Sequence, residues 1–161
     1  MDKKNKGIVT YHWRHPIHID ERDYLELVEF VKLLLKTSDI PIVGGLGENQ
    51  TKAIIDSTVI CFNGKSPNDG ETFFLPRFSD DLGFIKSDGL GNYYRMCDTY
   101  GKPYDALVIA TLKAAEYIGV IDEWYCDDYE EDHSEGLQLF AVVKNYFIIK
   151  REQRRKYGLP N

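Results

Sequence analysis

The segment from Pro103 to Gly119 constrains this chain more than any other. Ala106 to Ala110, Leu112, Ala114, Ala115, Tyr117 and Ile118 leave no polar stripe around a helical wheel. A helix that is apolar on nearly every side has no face for water and must be surrounded by other elements. Pro103 suits its opening, where a missing N–H costs no hydrogen bond. Gly119 suits the position just past its end. A chain of 161 residues with 43% hydrophobic side chains has room for one domain of ordinary size and enough apolar material to wrap such a helix. The expectation is a single domain over residues 1–161, with Leu107, Val108 and Leu112 fully buried at its centre.

Two further helices supply part of the wrapping. Asp20 is a good N-cap with Asp23 at the third helical position, and Ile19 and Tyr24 stand where a hydrophobic staple needs them. Tyr24, Leu27, Val28, Val31, Leu34 and Leu35 then recur at helical spacing, and the Ile40-Pro41 bond lies just past the end. Ser134 caps a last helix from Glu135 to about Tyr157, stopped by Gly158 and Pro160. On it Leu137, Phe140, Val143 and Phe147 make one apolar line, and Leu139, Val142, Tyr146 and Ile149 make another. One line packs on the domain, so the second awaits a neighbouring element or another copy of the chain, and a homo-oligomer through this helix stays open.

Strand signals fill the rest. Ile8 to Trp13 is β-branched and aromatic. Ala53–Ile55 and Thr58–Phe62 are broken at Asp56-Ser57, and Glu71–Leu75 returns after a loop bracketed by Asn63-Gly64 and Asn68-Asp69-Gly70. Ile42 to Gln50 reads as a glycine-rich loop, and Val120 to Asp132 as a connection. Arg77 to Asn92 reads as a long loop, or as a strand from Gly83 to Lys86 between turns. The fold class is α+β: a small antiparallel sheet, made of the hairpin and the N-terminal strand, packed with two or three helices.

Charge excludes some functions. Twenty basic side chains against 26 acidic ones give a net charge of −6, which argues against a general nucleic-acid binder. The apolar runs fall short of the roughly 20 residues that a membrane span needs. No apolar stretch follows the basic start Met1–Gly7, so no signal peptide is expected. Cys61, Cys97 and Cys126 form no CxxC pair and read as reduced, buried thiols of a cytoplasmic protein.

Catalytic and metal motifs are weak. His12, His15 and His18 crowd ahead of Asp20, but a spacing of three sends His12 and His15 to opposite faces of a strand. Gly44-Gly45-Leu46-Gly47 lacks the lysine and helix of a phosphate loop. No GxSxG, SxxK or papain-like cysteine is present. The carboxylates at Asp80-Asp81 and Asp127–Asp132 lie in polar, solvated runs, and Asp69-Gly70 and Asp88-Gly89 lack the spacing of a calcium loop. No cofactor is expected.

Two constellations stand out. Asp122, Glu123, Asp127, Asp128, Glu130, Glu131, Asp132 and Glu135 occur without an intervening lysine or arginine, with Trp124, Tyr125 and Tyr129 among them. Lys150, Arg151, Arg154, Arg155 and Lys156 follow, so a terminal helix would carry acids at its start and cations at its end, as its dipole favours. An acidic segment with large aromatics is also suited to docking a basic protein. Its candidate contacts are Trp124, Tyr125, Asp127, Asp128, Tyr129, Glu130 and Glu131. The second constellation, Tyr94, Arg95, Cys97, Lys102, Tyr104 and Asp105, leads into the buried helix and is the candidate pocket of a ligand-binding domain or small enzyme.

Phe62-Asn63-Gly64, Glu71-Thr72-Phe73, Cys97-Asp98-Thr99 and Lys102-Pro103-Tyr104-Asp105 together resemble a pattern in small uncharacterised bacterial proteins. In that pattern FNG and ETF lie on a hairpin, and a CKT-xx-KPYD segment leads into an alanine-rich helix. The resemblance spans Val59 to Gly119, with Asp98 where the pattern has lysine, and it implies no activity. The functional expectation is therefore a non-enzymatic interaction protein that binds and inhibits another macromolecule. An immunity, antitoxin or anti-defence protein of the kind found on mobile elements would fit. The alternative is the enzyme or ligand-binding domain around Tyr94–Asp105.

Overall fold

The computed structural model describes residues 8–45, 47, 51–79, 91–128 and 131–160. Along them run β1 (Thr10–Pro16), α1 (Glu21–Thr37), β2 (Ile42–Val43), β3 (Ile54–Ile55), β4 (Val59–Gly64) and β5 (Phe73–Pro76). β6 (Asn92–Asp98), α2 (Asp105–Ile118), β7 (Trp124–Cys126) and α3 (Ser134–Tyr157) follow. The loop or strand expected within 80–90, and the residues Met1–Gly7, Leu46, Glu48–Gln50, Tyr129 and Glu130, lie outside this description.

The apolar helix α2 is the centre of the molecule. Leu107, Val108 and Leu112 have no exposed surface, and α1 and α3 both pack on α2. Its first residue is Asp105, not Pro103. Turns close from the Lys102 N–H to the Thr99 carbonyl and from the Asp105 N–H to the Lys102 carbonyl, so Pro103 lies in the approach. At the other end Gly119 has φ 94° and gives its N–H to the Ala115 and Glu116 carbonyls, a left-handed cap that a side chain would strain.

α1 starts as its sequence requires. The Asp20 carboxylate accepts from the Arg22 and Asp23 N–H groups, and Ile19 and Tyr24 are buried together in the core. α3 begins at Ser134 itself. The residue before it is His133, and the Asp132 carboxylate accepts the Ser134 N–H, so Ser134 is not the cap. Phe140, Val143 and Phe147 of α3 are buried, and Phe30 of α1 meets the two phenylalanine rings at centroid distances of 5.6 and 5.2 Å. Leu137, expected on the same line, is exposed. Gly136 lets the two helices touch, since a Cβ there would lie 2.5 Å from Ile109 Cβ and 2.8 Å from the Ala106 carbonyl oxygen.

The strands form two antiparallel sheets among the described residues, where one was expected. The first has the order β6-β1-β7, with the N-terminal strand in its centre. In the second, β4 pairs with β2, β3 and β5. The β4–β5 hairpin carries FNG on β4, and ETF leads into β5. The N-terminal strand does not join that hairpin. Its partners are β6, whose side chains read as a polar constellation, and β7, three residues inside an acidic run. β1 starts at Thr10 rather than Ile8 and continues to Pro16, because its pairing with β6 begins at Thr10–Asp98 and runs on through His15–Tyr93 and Pro16–Asn92. Ile42–Val43, expected as loop, pairs with Asn63 and Gly64. One hydrophobic cluster runs through all three helices and strands of both sheets. Among the described residues no helix is long and apolar enough to cross a membrane.

Candidate functional site

Strand alternation sorts the first sheet into two faces. Tyr11, Trp13 and His15 of β1 point inward and are buried, while His12 and Arg14 point outward. The register sets Met96 of β6 opposite His12, and His12 opposite Tyr125 of β7. The His12 and Tyr125 rings stack at 4.7 Å with an interplanar angle of 8°. One strand position along, Tyr94 stands opposite Arg14. Met96, Tyr125 and Tyr94 are 62%, 54% and 48% exposed, so this outer face carries an exposed apolar and aromatic patch. Carboxylates rim it: Asp127 accepts from His12 Nε2 at 2.8 Å, Asp122 accepts from Arg14 Nε at 3.1 Å, and Glu123 is exposed beside them.

The acidic-aromatic segment is divided by β7. Tyr125 and Asp127 belong to the outer face. Trp124 turns inward, half-buried against the Tyr11 and His133 rings at 6.1 and 5.7 Å, and anchors the strand. Asp128 and Glu131 are half-buried. Met96, His12 and Arg14 were missed as members of the face. Their signal was the alternation of Tyr94 and Met96, legible once β6 is read as a strand.

The Tyr94–Asp105 constellation does not converge. Tyr94 lies on the outer face, whereas Arg95 gives Nε–H to His15 at 2.7 Å and Nη2–H to Ser79 at 3.0 Å. Cys97 is fully buried, and burial, reinforced by the nearby Glu71 charge, pushes its thiol pKa far up. Tyr104 is buried with its hydroxyl on the Glu71 carbonyl at 2.7 Å. Asp105 is buried too, and its carboxylate accepts from the Tyr11 hydroxyl at 3.0 Å and from the Thr99 hydroxyl. Burial raises the Asp105 pKa, while those two hydroxyls oppose the rise. Lys102 and Asp105 do share a cleft of about 460 Å³, with Glu131, Asp132, Ser134 and Glu135 on its other wall.

The histidines also part. His15 is buried on the inner face, His12 meets Asp127, and His18 stands edge-on to Phe78. Among the described residues no three histidine, cysteine or carboxylate groups are placed to hold one metal ion. Gly44 and Gly47 form a turn closed by the Gly47 N–H on the Gly44 carbonyl. No protein family matches the chain, and no curated protein or solved structure is significantly similar to it.

Proposed function

We propose that this is a non-enzymatic, cytoplasmic binding protein that docks a basic protein partner on the outer face of the β6-β1-β7 sheet and inhibits it by covering its surface. The row Met96–His12–Tyr125, with Met96 and Tyr125 exposed on either side of a half-buried His12 and rimmed by Asp122, Glu123 and Asp127, carries the reading. Rigid aromatic area at the centre with charge at the edge is what protein-binding hot spots use. The acidic rim on a chain of net charge −6 favours a positively charged partner. A role such as immunity, antitoxin or anti-defence protein fits such a face by analogy. The ligand-binding alternative draws less support, because Arg95, Cys97, Tyr104 and Asp105 already spend their polar atoms on internal partners.

The test is capture from the native host with quantitative mass spectrometry, using the wild type and the exposed-face variants Met96→Glu and Tyr125→Glu. A basic protein retained by the wild type and lost with both variants supports the reading. With that protein in hand, Glu123→Lys and Asp127→Lys should slow association and flatten its salt dependence. Capture that both variants leave unchanged overturns it.

A further inference from the structure

The second apolar line of α3 packs on the core at Leu139 and is open from Val142 onward. Leu139 is half-buried at its start, and Val142, Tyr146 and Ile149 are 59%, 57% and 53% exposed. Their spacing of three, four and three residues is the seam of a two-helix coiled coil. The seam lies on a helix of 24 residues, roughly 36 Å long, whose other side is already fastened to Phe30.

We propose that this seam pairs α3 with α3 of a second copy of the chain, antiparallel and about a two-fold axis. In an antiparallel pair each a position faces a d position. Leu139 then meets Ile149 of the second copy, and Val142 meets its Tyr146, each contact being made twice. The next layer outward sets Glu135 against Gln153, and Asp132, just ahead of the helix, comes to the side of Lys156.

Charge decides both the direction and the occupant. The approach to α3 and its first turn carry Asp132 and Glu135, and its last turn carries Arg154, Arg155 and Lys156. Antiparallel pairing brings the acidic end of one helix alongside the basic end of the other and sets the two helix dipoles against each other favourably. Parallel pairing would stack the cations of both copies together. One chain carries both complementary ends, so a second copy supplies opposite charge at each end of the seam. Arg151 takes no part, because its guanidinium is held by Glu26 of α1 at 2.7 Å. The sheet face plays no part either, and the two readings stand or fall separately.

Sedimentation equilibrium of the full chain at several concentrations tests the proposal. The wild type should show a reversible monomer–dimer equilibrium. Tyr146→Glu and Ile149→Glu, both at exposed positions, should raise the dimer dissociation constant by about tenfold or more, with melting curves like the wild type. Lys156→Glu should weaken the dimer, more so at low salt. A monomer at all concentrations overturns the proposal. So does a dimer indifferent to Tyr146→Glu.

Discussion

Nε2 of His15 accepts a hydrogen bond from Nε–H of Arg95 at 2.7 Å, while His15 Nδ1 donates to the Pro16 carbonyl at 2.8 Å. A guanidinium always donates, so the imidazole must be neutral with its proton on Nδ1. Burial, helped by the Arg95 charge, holds the His15 pKa down at about 4. In the same contact burial lowers Arg95 to about 10. Imidazole carbon and nitrogen shifts should therefore show His15 neutral until about pH 4, and Arg95→Gln should raise that midpoint. Titration near 6.5 would refute the geometry.

The same shift fixes a stability slope. Between about pH 4 and 6.5 the unfolded chain binds a proton at His15 and the native chain does not. Stability from this group is complete above pH 6.5 and falls on acidification to about pH 4. The steepest contribution is about 1.4 kcal/mol per pH unit. Urea midpoints across that range, wild type against His15→Gln, read the difference.

Tyr11→Phe removes one of the two hydroxyls that solvate the buried Asp105 carboxylate. It should cost about 1.5–3 kcal/mol at neutral pH, the range for a hydrogen bond to a charged group. The Asp105 pKa is already raised, so its native form takes up a proton more readily than the unfolded chain. Acidification through that raised pKa therefore relieves the variant. The destabilisation measured by denaturant titration should shrink as the pH falls; a constant difference would contradict this account.

At an exposed helical site Gly→Ala gains about 1 kcal/mol from helix propensity. At Gly136 the new methyl would meet Ile109 Cβ and the Ala106 carbonyl well inside contact distance. Overpacking of that kind costs about 1–3 kcal/mol. Gly136→Ala should therefore lower the melting temperature, the reverse of its effect on a free helix.

Cys61, Cys97 and Cys126 are buried, and burial raises all three thiol pKa values. Without thiolate there is little nucleophile. A disulfide reagent should modify the native protein only as fast as it opens, and all three thiols at once in denaturant.

The parts of the fold that were legible in the sequence are those governed by local chemistry. The Asp20 cap, the Asp56 break, the Gly119 and Gly158 ends and the apolar circumference of α2 each state their structure within a few residues. β6 and β7 were not legible as strands. Tyr93, Arg95 and Cys97 are placed by long-range pairing with His15, Trp13 and Tyr11, which no local pattern reveals. The outer face inherits that difficulty, because it exists only where three distant segments lie side by side. Trp124 illustrates the limit. Its neighbours Glu123 and Tyr125 are exposed, and only the pairing of β7 with β1 says that its indole turns the other way.

β1 is the central strand of its sheet, yet its contacts lie far ahead of it in the chain. His15 meets Arg95 across 80 residues, and His12 meets Asp127 across 115. A ribosome releasing ~5–20 residues per second leaves this strand without neighbours for roughly ten seconds. Both of its edges, and the apolar Tyr11 and Trp13, face the cell during that interval. Thus a strand made early is among the last to be enclosed, and a nascent chain stalled before Trp124 would still present an open edge to chaperones and to other chains.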